Sequence, residues 1–288
     1  MERELWLVLY HIVTKLDSGQ GIWKYSNADI VTVYLWAVVH DRPTSWATVK
    51  ANWTNHLCPK VLPSQSCLSR RLRRSEVQQL MTAVEETWLG VVCVKQWWLK
   101  VIDAKGLAIS RISKDADAGY GRGAGGQENG YKFYAVWGAG PLPMAWALAP
   151  MNVSEKTMAR LLIRDLPGEG YLLGDAEYDA NVLYDLAHEA GYQLLAPQRK
   201  SNGRLGHRHQ SPYRLRSIEL RKRLFGRGIF RYRRQIERDF GGLTSFGGGL
   251  ICLPSWARRF TRVRNWVHAK LLINAAKWFL NHPQLAVA

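Results

Sequence analysis

The stretch Tyr171-Leu-Leu-Gly-Asp-Ala-Glu-Tyr-Asp179, read against Trp97-Trp-Leu-Lys-Val-Ile-Asp103 upstream, decides the fold. Each is a short apolar run, rich in aromatic or branched residues, that ends at an aspartate. That pattern predicts a buried strand delivering a carboxylate to its carboxyl end. Between them, a Gly-rich loop from Gly119 to Gly130 precedes Tyr131–Trp137 and Pro143–Leu148, and Gly138-Ala-Gly140 between these two runs predicts a β-hairpin. Asn152 or Ser154 is placed to cap a helix carrying Met158, Leu161 and Leu162. Asp179 is expected to cap a second helix, with Val182, Leu183, Leu186, Ala187 and Ala190 facing inward. Tyr192–Ala196 reads as a further strand, and helices are expected at about Arg231–Phe240 and Trp256–Leu280. Three strands, helix, strand, helix, strand, then helices describe an α/β fold with a mixed sheet and helices on both faces.

This is the element order of the ribonuclease-H-like fold. Upstream of it, residues 1–56 are predominantly helical in pattern, with apolar positions at Leu5, Leu9, Ile12, Ile30, Val33, Tyr34, Ala37 and Val38. Pro59–Pro63 breaks the pattern. The basic run Leu68-Ser-Arg-Arg-Leu-Arg-Arg74 follows, and Ser75 with Gln78 reads as a capping box opening an amphipathic helix. A basic helix, a tight turn and an amphipathic helix suit a helix-turn-helix DNA reader, with Arg70, Arg71, Arg73 and Arg74 as DNA contacts; a helical hairpin with a solvated basic face has the same pattern. The expected organisation is a helical, DNA-binding region over 1–90 and a catalytic domain over 91–288.

The formal net charge is +17 over 288 residues, and its distribution is more informative than its total. Residues 199–238 hold fourteen basic and two acidic side chains, a net +12 in one block. Residues 97–198, just before it, hold nine basic and twelve acidic ones, a net −3. A membrane-binding helix would need a wide apolar face among those arginines, and the block has little. Double-stranded DNA is the expected partner. No apolar run approaches the ~18–20 residues that span a bilayer. The N-terminus, with Glu2 and Glu4, is not patterned as a secretory leader. The four cysteines (Cys58, Cys67, Cys93 and Cys252) form no C-x-x-C pair, which fits a reducing cytoplasm.

A single aspartate is ordinarily a surface charge or a cap. Two at neighbouring parallel strand ends are a different matter, because two-metal phosphoryl transfer needs carboxylates converging on ions ~3.5–4 Å apart. Asp103 and Asp175 would meet at the carboxyl edge of the sheet, where ligands of α/β folds bind. Glu237, in Phe230-Arg-Tyr-Arg-Arg-Gln-Ile-Glu237, supplies a third acid, with Arg233 four residues before it on one helical face to orient it or to hold a phosphate. Mg²⁺, with Mn²⁺ as a substitute, is the expected ion, two per site. Asp115 and Asp117 read as solvated loop acids. His207 and His209 lack the partners of a metal site.

These residues resemble the bacterial insertion-sequence transposases of the DDE type, whose signature is Tyr-x2-Arg-x3-Glu. The matching text is Val101-Ile-Asp103, Gly130-Tyr-Lys-Phe133, Leu173-Gly-Asp-Ala-Glu-Tyr-Asp179, and Phe230-x2-Arg233-x3-Glu237-Arg238-x-Phe240. Leu62–Ser66 and Leu68–Arg71 are similar to the family's N-terminal helical region. The resemblance covers roughly residues 60–280, and the spacings between the three acids suit the shorter members. It implies Asp103, Asp175 and Glu237 as catalytic metal ligands. Lys132, Arg231, Arg233, Arg234 and Arg238 join the four upstream arginines as DNA contacts. The implied activity is cleavage at the element's terminal repeats and transfer of the freed 3′-hydroxyl into target DNA, by a homodimer assembled on DNA. Three positions depart from the pattern: Phe230 replaces the signature Tyr, Thr244 stands where Lys is common, and Lys105 where Thr is common. A ribonuclease-H-like nuclease or resolvase without strand transfer, and a catalytically inactive transposase-derived DNA-binding protein, are the alternatives.

Overall fold

A computed structural model describes residues 2–19, 23–54, 56–92, 98–109, 114–123, 125–199, 209–234, 238, 241, 243, 250 and 253–282. The chain divides into two compact units, Met1–Val92 with Gly242–Ala288, and Cys93–Gly241.

The second unit is built on a six-stranded mixed sheet. Its strands are β1 (Leu99–Ala108), β2 (Gly119–Gly123), β3 (Gly126–Trp137), β4 (Pro143–Pro150), β5 (Gly170–Leu173) and β6 (Tyr192–Leu195). The order is β2-β3-β1-β5-β6, with β4 also paired to β3. β1 is central, antiparallel to β3 and parallel to β5, and β5 is parallel to β6. Its first four residues, Leu99–Ile102, are all buried rather than alternating, the pattern of a strand covered on both faces. Helices α6 (Glu155–Arg164) and α7 (Asn181–Glu189) share one apolar core with the sheet, where Met158, Leu162, Leu183 and Ala187 meet Ile102, Tyr134, Val136, Leu172 and Leu194. This is the ribonuclease-H-like α/β arrangement the element order predicts.

The Gly-rich region is not a loop. Gly119–Gly123 and Gly126–Gly130 pair as a short antiparallel ribbon. The glycines permit close approach: a Cβ on Gly121 would stand 2.2 Å from the Met151 carbonyl oxygen, and one on Gly130 2.3 Å from that of Leu107. β1 also runs past its expected end, so Asp103 lies within the strand rather than closing it. Ser154 caps α6, accepting a bond from the Thr157 N–H at 3.2 Å.

Asp179 does not cap α7; Ala180 holds that position. Its carboxylate is taken by Arg214 of α8 (Pro212–Lys222), whose Nε and terminal nitrogen donate to the two oxygens at 2.7 Å each. Tyr184 Oη and the Arg199 N–H donate to the same group at 3.2 and 3.1 Å. Beside it, Ser211 donates to Asp185 at 2.6 Å, and the Asn181 amide bridges the His209 carbonyl and the Ser211 N–H. The start of the basic block is thus tied to α7. α9 (Leu224–Phe230) and a 3₁₀ turn, Arg231–Arg234, follow. The helix expected over 231–240 is a 3₁₀ turn in its described first part, while Gln235–Glu237, Asp239 and Phe240 lie outside the described residues.

The first unit is helical: α1 (Glu2–Leu16), α2 (Asn27–Val39), α3 (Thr44–Ala47), α4 (Gln65–Arg71), α5 (Ser75–Val92) and α10 (Phe260–Asn281). α10 was expected to extend the catalytic region, but it packs among α1, α2 and α5. Its Asn265–Ile273 stretch is buried without interruption, polar Asn265, His268 and Lys270 included, and a helix buried all round needs partners all round. Trp6, Trp36 and Trp53 form an aromatic cluster, with Trp36 and Trp53 stacked at 4.6 Å. The expected capping box at Ser75 is not formed. Ser75 Oγ bonds Glu76, and the Gln78 amide donates to the Leu72 carbonyl at 2.7 Å. A capping box occurs instead at Ser26 and Asp29. No described helix is long and apolar enough to cross a membrane.

Burial alone would raise the Asp179 carboxyl, but the bonds from Arg214 and Arg199 outweigh it and hold the group below its usual range. Arg214→Ala leaves this carboxylate, 2 % exposed, without its guanidinium, a loss of ~3–5 kcal/mol for a broken buried pair. Because the folded pKa is depressed, the stabilisation is present above the unfolded value near ~4 and fades as pH falls through the folded one. Urea unfolding of wild type and variant is expected to differ strongly at pH 7 and to converge toward pH 3.

Candidate active site

The last parallel pair between β1 and β5 is Val101 with Leu173. Asp103 and Asp175 each stand two residues beyond it. Side chains alternate along extended backbone, so the two acids share one pleat phase and face the same side at one sheet edge. Ile102, between Val101 and Asp103, points into the α6–α7 core, which puts the acids on the other face. Asp175 is still extended, with φ −83° and ψ −173°, and its Oδ1 accepts the Glu177 N–H at 2.8 Å to start a 3₁₀ turn, Ala176–Tyr178. That turn folds Tyr178 back over Gly174, where a Cβ would meet the ring at 3.0 Å.

Asp103 is held from two directions. Its Oδ1 accepts the Ala104 N–H at 2.8 Å, and its Oδ2 faces an Arg233 guanidinium nitrogen at 3.3 Å. The sequence spacing paired Arg233 with Glu237; in the structure Arg233 reaches Asp103, and Glu237 lies outside the described residues. Burial pushes the Asp103 carboxyl up to about 6; the Ala104 N–H and Arg233 oppose this, and the like charges of Asp175 and Glu155 add to it. A partly buried acid crowded by other acids, with one guanidinium against it, lacks positive charge. Hard oxygen donors in that state fit a divalent ion such as Mg²⁺. Among the described residues no three His, Cys, Asp or Glu side chains form a complete metal cluster.

Two neighbours of the acids were not legible as site residues. Glu155, the first residue of α6, acts on Asp103 and binds Lys132 Nζ at 3.0 Å. Lys132, expected to touch DNA, is therefore half-buried in an ion pair. Tyr178 is fully buried, its hydroxyl lacks a hydrogen-bond partner, and burial together with Glu155, Asp103 and Asp175 keeps the phenol protonated. Only the packing of α6 and of the Ala176–Tyr178 turn brings these groups to the acids. Nothing in the local sequence marks Glu155, and Tyr178, though inside the matched Leu173–Asp179 text, carries no role legible from it.

The remaining expected DNA contacts separate by exposure. Arg231, Arg234 and Arg238 are exposed, as are Arg70, Arg73 and Arg74. Arg71 is buried, donating to the Tyr25 carbonyl at 3.1 Å and to Asn27 Oδ1 at 2.6 Å. That arginine joins α4 to the start of α2. Phe230, at the departure from the signature Tyr, lies under the Arg221 guanidinium at 4.6 Å. Lys105 is half-buried, and burial lowers its pKa. Asp115 is not merely solvated, since Tyr131 Oη donates to it at 2.9 Å. His209 is exposed; His207 and Thr244 lie outside the described residues.

The raised Asp103 pKa has a stability consequence with a definite sign. The unfolded group ionises near ~4 and the folded one near 6, so the metal-free protein loses stability as pH rises through that window. The loss is on the order of 2–3 kcal/mol at neutral pH, from ~1.4 kcal/mol per unit. In chelator-containing buffer, Asp103→Asn is expected to unfold at higher urea than wild type at pH 7.5. A difference of equal size at pH 4 would contradict the assignment.

The chain matches the protein family described as "Transposase DDE domain" over residues 98–272, more than half its length. No curated protein matches it. The matched span includes Asp103, Asp175, Glu237 and Arg233. With a ribonuclease-H-like sheet and two aspartates in register at its edge, this chain belongs to the transposase DDE domain family.

Proposed function

We propose that this protein is an insertion-sequence transposase that binds the ends of its element, cleaves there and joins the freed 3′-hydroxyl to target DNA. The shared register of Asp103 and Asp175 beyond Val101 and Leu173 carries the reading, because it needs no side-chain adjustment to bring both carboxylates to one place. Asp103, Asp175 and Glu237 would hold the divalent ions, Mg²⁺ or Mn²⁺. When bound, such ions supply Lewis-acid stabilisation of the attacking and leaving oxygens of an in-line phosphoryl transfer.

The chain's own groups do the rest. Arg233 fixes Asp103 in one orientation and balances part of its charge. The Lys132–Glu155 pair places a further carboxylate near the acids, and Tyr178 contributes a protonated hydroxyl there. The exposed arginines 231, 234 and 238 would position the DNA backbone, and Arg70, Arg73 and Arg74 of the helical region 1–90 would hold the element end through phosphates. Arg71, buried between Tyr25 and Asn27, supports that region without touching DNA. Two ends must be joined to one target, so a homodimer on DNA is the expected assembly.

The test uses labelled duplexes carrying the element's own terminal repeats, target DNA and Mg²⁺. Wild type should nick at the end and join it. Asp103→Ala, Asp175→Ala and Glu237→Ala should each lose about 10²–10³-fold in rate, the scale of a removed transition-state contact, while still binding the duplex. Nicking without joining would identify a nuclease or resolvase. Binding by all four proteins with no nicking would identify a DNA-binding descendant.

A further inference from the structure

The helical unit contains a cavity of about 360 Å³ that the chemistry above does not use. Arg73 of α4–α5, with Arg258 and Arg262 near the start of α10, lines it, and Trp256 and Asn265 complete the part that matters here. Arg73 and Arg262 are exposed, whereas Asn265 is 4 % exposed. Asn265 Nδ2 donates to the Leu72 carbonyl at 3.1 Å, which fixes the amide with its oxygen free, and that oxygen is buried without a partner. Buried acceptors are normally satisfied, so an unpaired one on a residue that lines a cavity calls for a donor. Arg258 donates to the Pro254 and Ala257 carbonyls; the exposed guanidinium groups of Arg73 and Arg262 suit an anion, and an indole suits a flat π-system. One ligand class offers a phosphate, a planar ring and an exocyclic amine together.

We infer that this cavity takes one unpaired deoxynucleotide of bound DNA. Its phosphates lie at Arg73 and Arg262, its base rests against Trp256, and a base amino group donates to Asn265 Oδ1. The inference rests on the helical unit binding DNA, and it adds that this unit selects DNA carrying an unpaired base. Stacking on an aromatic side chain together with one hydrogen bond gives about tenfold or more in affinity.

Fluorescence anisotropy with the full-length protein tests this on three labelled duplexes of one sequence: fully paired, with a single bulged adenosine, and with a bulged abasic site. Wild type should bind the adenosine bulge about tenfold tighter than either of the others. Asn265→Leu and Trp256→Ala should lose that preference and leave affinity for the paired duplex unchanged. Trp256 is only half-buried and serves if the Asn265 variant does not fold. Equal binding of adenosine and abasic bulges by wild type overturns the inference, since the arginines then read only phosphate. Preference retained in Trp256→Ala overturns it as well. Failure of wild type to bind the paired duplex would instead refute DNA binding by the chain.

Discussion

Backbone hydrogen bonding between β1 and β5 stops at Val101 and Leu173, and the site depends on where it stops. Because both strands run the same way in register, each continues for two residues in the same phase, and Asp103 and Asp175 arrive side by side. A one-residue slip in either strand would turn one acid to the opposite face. What prevents the slip is the apolar core beneath: Ile102, Leu172 and Leu194 occupy neighbouring strands and all face α6 and α7. The placement of the two acids is therefore set by hydrophobic packing on the reverse side of the sheet.

The electrostatics follow from that placement. Burial raises Asp103, and the carboxylates of Asp175 and Glu155 raise it further. Arg233 is the counterweight, reaching Asp103 across more than half of the second unit's sequence. Asp179, four residues after Asp175, meets the opposite treatment: Arg214 and two further donors hold it ionised. Two acids of one short motif thus do different work. One stays short of positive charge at the sheet edge, while the other ties the basic block to α7. The first environment lies within the span that matches the transposase DDE domain family, and it carries the function proposed above.

In the helical unit the same contrast separates neighbouring arginines of one run. Arg71 turns inward to the Tyr25 carbonyl and Asn27, while Arg73 and Arg74 remain at the surface. α10 closes this unit through a stretch buried on every side, although it follows the catalytic region in the chain. Asn265–Ile273 finds its partners on every side among α1, α2 and α5.

By itself the sequence determined the element order, the strands that carry Asp103 and Asp175, and the concentration of positive charge in 199–238, because strand composition, turn residues and charge are local properties. It misread the Gly119–Gly130 region, where glycines that suggest a loop instead let β2 and β3 approach Met151 and Leu107. It could not distinguish Arg71 from Arg70 and Arg73, or identify Arg214 as the partner of Asp179 and Arg233 as that of Asp103. Nor could it find Glu155 and Tyr178 beside the acids, or Asn265 with an unmatched oxygen at a cavity. Those are pairings between residues far apart in the chain, and only the packing of helices on the sheet and on one another decides which side chains share a buried space.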